Sequence, residues 1–247
     1  MNDIYELLKK EAALRNSAKE LSLDKPDPLV VASKYKDENI SLICALFAYG
    51  NAKSIVKFLN TLDFSLLDKD DEKIENCLQG HYYRFQSNQD VIEFFKTIKL
   101  LKQTCSLESK FYAGYKHHNN VMDGLASLIS LMYDINPYRS KGYEFLLGKI
   151  PTGKVSSAYK RWHMYLRWMV RKDNLDFGLW KSVATKDLLV PLDTHTFQVS
   201  RRLGLIKRKS YDFKAVLELT QSLREIDPTD PVKFDFALYR IGQEKIL

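Results

Sequence analysis

Cysteine is scarce in this chain: Cys44, Cys77 and Cys105 are far apart, and none belongs to a Cys-x-x-Cys pair. That spacing excludes a zinc ribbon and a four-cysteine iron–sulfur cluster, and it fits reduced thiols in a cytosol. No apolar run approaches the roughly 18 residues of a membrane span, and the opening MNDIYELLKKEAALRN is charged rather than signal-like. A cytoplasmic protein with no membrane partner is expected. Internal repeats, low-complexity tracts and a glycine-rich phosphate loop are missing, and no segment sustains the period of two of a half-buried strand. What is present is an ordinary globular composition, 45% hydrophobic and 28% charged over 247 residues. That is length enough for one large domain or two small lobes.

The formal charge is +7, from 38 basic and 31 acidic side chains. It is concentrated. Between positions 151 and 210 there are 13 Lys or Arg against four Asp, a local +9 that leaves −2 for the rest of the chain. Trp162, Trp168 and Trp180 lie in the same stretch. A basic, aromatic-rich segment in a near-neutral protein is the footprint of a nucleic-acid face, with a solvated basic surface as the competing explanation.

Helical periodicity dominates. Helices are expected at about 3–19, from 37 and again from 51, and at 88–102, 108–115, 121–133 and 138–147, with the two-proline linker LSLDKPDP after the first. Near the end, Asp193 or Thr194 can cap a helix that stops at Gly204, and Asp212 can cap the next. Asp230 with Pro231 can open a last helix running to about Gln243. The expected fold class is all-α.

In SSAYKRWHMYLRWMVRKD, residues Ala158, Trp162, Tyr165, Leu166, Met169 and Val170 form one helical stripe suited to burial. Lys160, His163, Arg167 and Arg171 line another face, so this helix is expected to pack on one side and offer cations on the other. The preceding KIPTGKVSS reads as a tight hairpin between two helices, with backbone N–H groups available to a phosphate. Asp193, in VPLDTHTFQVSRRLGLIKRK, has two competing explanations: an N-cap contributing ~1 kcal/mol, or a catalytic carboxylate that stabilises developing positive charge or relays a proton.

The run PLDTHTFQVSRRLGL resembles the catalytic-aspartate segment of the helix-hairpin-helix DNA glycosylases, which puts that role on Asp193. The lysine that follows the hairpin in lyase-active members corresponds to Lys160 in SSAYKRW. Ser156 and Ala158 stand where the hairpin glycines usually are, so any monovalent cation held by the hairpin carbonyls is left open; no metal or other cofactor is expected. The 33 positions from Lys160 to Asp193 and the run DPVKFDFALYRIG resemble the archaeal-type 8-oxoguanine glycosylases and a bacterial set of similar length.

The resemblance implies a base-excision-repair enzyme, an 8-oxoguanine DNA N-glycosylase and abasic-site lyase. It implies two helical lobes, at 35–171 (with the hairpin) and at 1–34 plus 172–247, flanking a DNA-binding cleft. The partner is duplex DNA with a damaged base, bound by a monomer in the cytoplasm or, in a bacterium, at the nucleoid. Lys160 and Asp193 are then catalytic, and a nucleophilic lysine must be neutral, which partial burial and the neighbouring Lys154, Arg161 and Arg167 favour. Asp235 and, four residues on, Tyr239 recognise the extruded base, with Phe236 as the alternative stacking ring. DNA contacts fall on Tyr49, Asn51, Lys154, Ser156, Ser157, Arg161, Arg167, His195 and Arg201. Tyr49 and Asn51 read equally well as an ordinary helix–turn. The alternatives are the same fold acting on another damaged base, a helix-hairpin-helix DNA-binding module without catalysis, and a helical protein–protein adaptor.

Overall fold

A computed structural model describes residues 2–22 and 24–244 and is all-α: thirteen α-helices and four short 3-10 turns, with no strand among the described residues. LLVPLD is an extended connection with one 3-10 turn before it. No helix among these residues is long and apolar enough to cross a membrane. The chain divides into two compact units, Pro26–Thr152 and Met1–Lys25 with Gly153–Leu247. These boundaries differ from the expected 35–171 and 1–34 plus 172–247. The basic tryptophan-bearing helix falls in the unit built from the two ends of the chain, because its polar face pairs with acids from the carboxy-terminal segment.

The Pro26–Thr152 unit contains α2 (Pro28–Ala32), α3 (Glu38–Leu46), α4 (Ala52–Leu59), α5 (Asp71–Leu78), α6 (Asn88–Thr104), α7 (Leu107–Tyr115), α8 (Val121–Ile135) and α9 (Lys141–Leu147). Two were not expected, α2 and α5. The first starts inside the proline linker: Pro28 occupies the opening turn, where its missing N–H costs nothing, and Asp27 accepts from the Leu29 amide at 2.8 Å. The core gathers around α6, whose Phe94, Phe95, Ile98 and Leu101 are fully buried, with Phe47 edge-on to Phe94 at 5.6 Å. Glu38 of α3 caps another helix, accepting from the first amide of α7 (Leu107) at 2.9 Å. Asp90 is the buried acid of this unit. It accepts from the Ser87 amide (2.7 Å), the Tyr138 hydroxyl (3.0 Å) and Ser140. Burial alone would raise its pKa, but these donors outweigh it and hold the carboxyl below its ordinary value.

The other unit joins α1 (Asn2–Arg15) to α10 (Lys160–Val170), α11 (Thr194–Arg202), α12 (Phe213–Ile226) and α13 (Asp235–Gln243). The caps of α11 and α12 fall on Asp193 and Asp212, whose carboxylates accept from Thr196 (2.7 Å) and Ala215 (3.1 Å), and Gly204 ends α11 at φ +73°. The last helix departs from expectation. Pro231–Phe234 is a 3-10 turn and α13 begins at Asp235, because Asp230 makes no cap bond and instead accepts from Arg171 Nε at 2.8 Å. The two ends of the chain are tied together through Arg15, which reaches Glu11, Glu20 and Glu244, and through Arg240, fully buried and 2.9 Å from Glu20.

Candidate functional site

The stripe assigned to burial on α10 is buried at every position from Ala158 to Val170, including Trp162, Tyr165 and Met169. The second face is not the solvent-facing row of cations that the spacing suggests. His163 and Arg167 are buried and Arg171 is largely so. Arg167 pairs with Asp176 (Nε–Oδ1 3.2 Å) and with Asp235, and Arg171 pairs with Asp173, Asp176 (2.8 Å) and Asp230 (2.8 Å). Two arginines one turn apart are therefore answered by acids from the turn after α10 and from the approach to α13. Arg167 is accordingly an internal structural cation and not a surface phosphate contact, since its charge is already neutralised inside the protein. Among the described residues, His163 has no hydrogen-bond partner at either ring nitrogen. Burial drives its pKa down to about 3, so it is neutral in the folded chain.

The connection from α9 to α10 runs over twelve residues, 148–159, rather than a tight hairpin. It ends at Tyr159, a non-glycine residue in the left-handed region (φ +45°), which turns the chain into α10 and leaves Lys160 as the first helical residue. Ser156 is anchored to α12, its carbonyl accepting the Phe213 amide at 3.0 Å, and the Ser157 hydroxyl accepts the Tyr159 amide at 3.5 Å. Lys154, Ser156 and Ser157 are exposed, and Arg161 and Lys160 are half-buried.

Three helix starts carry charges that bear on one another. Lys160 opens α10, Asp193 caps α11 and Asp235 opens α13. The buried Asp235 carboxyl feels both of the others: burial pushes its pKa up to about 6, opposed by the charges of Arg167 and Lys160 and reinforced by that of Asp193. Asp193 is half-exposed; one of its oxygens accepts the Thr196 amide, so the capping role is present. Its charge also acts on Tyr211, whose pKa is pushed to about 12 chiefly by burial and whose hydroxyl donates to the Leu192 carbonyl at 2.9 Å. Lys160, Asp193 and Asp235, singled out from separate parts of the sequence, are thus brought within electrostatic reach of one another. Such a cluster offers an amine and two carboxylates, one of them buried and one half-exposed, for acid–base or nucleophilic chemistry.

The other expected residues are distributed differently. Phe236 is buried and lines a cavity of about 200 Å³ beside α1, with Arg15, Arg167, Arg171 and Asp176 on the same wall. The Arg167 guanidinium stands 5.9 Å from its ring and that of Arg240 4.9 Å. Phe236 is therefore occupied by internal cations, while Tyr239, next to it at 6.2 Å, is half-buried. His195 is exposed on the first turn of α11 and packs against Gly242 of α13, where a Cβ would stand 2.4 Å from its Nε2. Arg201 is exposed, its guanidinium 5.8 Å from the Phe197 ring. Tyr49 and Asn51 belong to the Pro26–Thr152 unit. Tyr49 donates its hydroxyl to Tyr83 and Gln86, and Asn51 caps α4, accepting from Lys53 at 3.0 Å.

Sequence reasoning missed Asp176 and Tyr211. A signal for Asp176 exists in DNLD, an acidic turn directly after Arg167 and Arg171; Tyr211 carries none, since its place beside Asp193 comes from its ring meeting Phe197 of α11 and its hydroxyl reaching the Leu192 carbonyl. Residues 27–244 match a family described as a protein of unknown function, DUF2400. The chain belongs to that family. No curated protein and no solved structure matches the chain. The DUF2400 match takes in Lys160, Asp193, Asp235 and their acidic and basic neighbours, whereas α1 lies outside it. Among the described residues, no group of three His, Cys, Asp or Glu is placed to hold a metal ion.

Proposed function

We propose that this DUF2400 protein is a DNA glycosylase and abasic-site lyase that removes 8-oxoguanine, with Lys160 as the nucleophile. The observation that carries the reading is the gathering of Lys160, Asp193 and Asp235 at three helix starts, with the buried Asp235 carboxyl responding to both of the others. The resemblance of PLDTHTFQVSRRLGL and SSAYKRW to the helix-hairpin-helix glycosylases supplies the chemistry for that cluster. The reading entails a helix-hairpin-helix element at about 148–160 and a DNA-binding cleft, with phosphate contacts from Lys154, Ser156, Ser157, Arg161 and Arg201.

A base inside a duplex is out of reach, so it is extruded at a cost of a few kcal/mol that damage lowers. The Lys160 amine attacks C1′ through its nitrogen lone pair as the N-glycosidic bond breaks; the bond electrons leave with the base, which takes up a proton. Asp193 steadies the positive charge that develops on the sugar. Loss of a proton from nitrogen and opening of the sugar leave a Schiff base, from which β-elimination of the 3′ phosphate cleaves the strand. Borohydride should freeze a covalent protein–DNA adduct on a duplex with 8-oxoguanine opposite cytosine, and Lys160→Gln should abolish it. A wild-type yield of adduct from Lys160→Gln would overturn the assignment. Duplex retention that falls steeply with salt, without release of any base, would leave a DNA-binding module.

A second reading, the same chemistry on a different damaged base, is favoured by one contact. The Asp235 carboxylate that would read the base already accepts from Arg167. A panel of lesion duplexes, scored by adduct yield, decides between the two.

A further inference from the structure

The exposed aromatic side chains of the Pro26–Thr152 unit include a group assembled around one tight turn. Tyr83 and Gln86 exchange backbone hydrogen bonds at 3.1 and 2.9 Å, so Arg84 and Phe85 are the two central residues of that turn. Arg84 adopts φ +54°, the positive value that two-residue hairpin turns require at their first central position. A non-glycine residue there costs energy, and the surroundings hold it in place. Buried Tyr83 donates its hydroxyl to the Tyr49 carbonyl at 2.8 Å, and Tyr49 donates back to the Tyr83 carbonyl at 3.1 Å. The buried Gln86 amide donates to Gly142 at 2.8 Å. The turn is therefore pinned from both sides.

What this support presents is apolar, aromatic and open to solvent. Phe85 is 62% exposed and Tyr82 72%. The Phe85 ring lies parallel to that of Tyr49, 6° apart at 6.0 Å, and Phe145 meets both edge-on at 5.3 and 5.0 Å. The Arg84 guanidinium stands 5.5 Å from the Phe85 ring and folds over Gly50, where a Cβ would come within 2.9 Å of it. Some cations of this unit are paired and others are not. Lys96, Lys99 and Lys102 of α6 are each answered by Glu75, Asp71 or Asp68. Arg84 in the turn, Lys53 three residues after the Gly50 that Arg84 covers, and Lys141 next to the Gly142 that accepts from Gln86 are all exposed and have no carboxylate partner among the described residues; Glu144, also exposed, adjoins Phe145 in sequence.

We propose that the Arg84–Phe85 turn is a nucleobase-stacking tip: Phe85, backed by Tyr49, stacks on an unpaired base of a DNA strand, and Arg84, Lys53 and Lys141 meet the adjoining phosphates. The proposal rests on the reading of the protein as one that acts on DNA. A ring already fixed in orientation loses little freedom on stacking, and every base has a face to offer it. A hydrophobic protein partner is the weaker fit, because the exposed apolar groups of the turn are all aromatic and Arg84, within the turn itself, is a cation without a carboxylate partner among the described residues.

The test is binding of labelled oligonucleotides, one single-stranded and one a duplex with a single unpaired base, to the full chain, with base excision scored separately on the same preparations. Phe85→Ala and Phe85→Leu should each weaken binding by about 5- to 100-fold, Phe85→Trp should restore it, and Arg84→Ala should flatten its salt dependence. Both sites are exposed, so folding is retained. Wild-type affinity in Phe85→Leu, or a wild type that retains no DNA at low salt, would overturn the proposal, the former pointing to protein docking. Binding that depends on Phe85 in a chain that excises no lesion would remove the glycosylase reading and leave the tip standing. Excision with binding indifferent to Phe85 would do the reverse.

Discussion

Pro26–Thr152 contains 15 basic and 15 acidic side chains, so the unit formed by the two chain ends holds the remaining 23 and 16 and with them the entire +7. The interiors differ as well. Among the described residues, seven of the eight buried Asp, Glu, Lys and Arg side chains belong to the terminal unit, while Asp90 alone belongs to the other. Asp90 is stabilised by neutral hydroxyl and amide donors and keeps its charge easily. Arg167, Arg171, Asp176 and Asp235 depend on one another, and the compensation is uneven: burial wins at Asp176 and Asp235, whose pKa values are raised. Burying charge is costly unless it is paired. One unit avoids that cost and serves as an aromatic and aliphatic scaffold. The other accepts it, with Asp176 and Asp235 buried against Arg167.

The strongest way to break this contrast is to remove a paired cation from each unit. Arg167→Met leaves Asp235 without its hydrogen-bonding cation and weakens the setting of Asp176, so a loss of about 3–5 kcal/mol is expected. Lys102→Met, at an exposed position of α6 paired with Asp68, should cost less than about 1 kcal/mol. Urea unfolding of both variants checks this, and equal losses would dissolve the distinction.

The next largest effect is on pH dependence. His163 has a folded pKa of about 3 against about 6.5 unfolded, so the unfolded chain binds the extra proton and stability falls as pH drops below 6.5. The expected loss by pH 4 is about 3 kcal/mol, and it should vanish in His163→Phe. Asp235 acts in the opposite sense. Its folded pKa of about 6 lies above the unfolded value, so the folded state gains stability as pH falls from 6 toward 4, by somewhat under about 3 kcal/mol. Asp235→Asn should therefore steepen the acid loss of the wild type, and His163→Phe should reverse its sign. Stability curves from pH 4 to 7.5 for the three proteins separate the two groups; parallel curves would show that neither residue is titrating as described. The smallest effect should come from the scaffold: Asp90→Asn should leave stability between pH 5 and 7.5 with an unchanged slope, because its carboxyl titrates below that range.

Much of the secondary structure is legible in the chain because it depends on local rules. Asp193 and Asp212 cap the helices their positions suggest, and the stripe from Ala158 to Val170 is buried throughout. Local rules fail where a distant partner competes for the same group. Asp230 has the position of an N-cap but is taken by Arg171, and the last helix starts late. Arg167 has the spacing of a surface cation but is buried between Asp176 and Asp235. Periodicity tells which residues share a face and not what covers that face.

The candidate site divides in the same way. Lys160, Asp193 and Asp235 stand out as residue types in short motifs, but their separation of 75 positions along the chain says nothing of their distance in space. By itself the sequence determined an all-α protein, the residue types available for chemistry and the block of positive charge, since composition, period and capping are properties of neighbouring residues. Which charges are neutralised, which carboxyl is driven to about 6, and which aromatic residues remain exposed on a pinned turn were decided by tertiary structure alone. Burial and pairing exist only once remote segments have met.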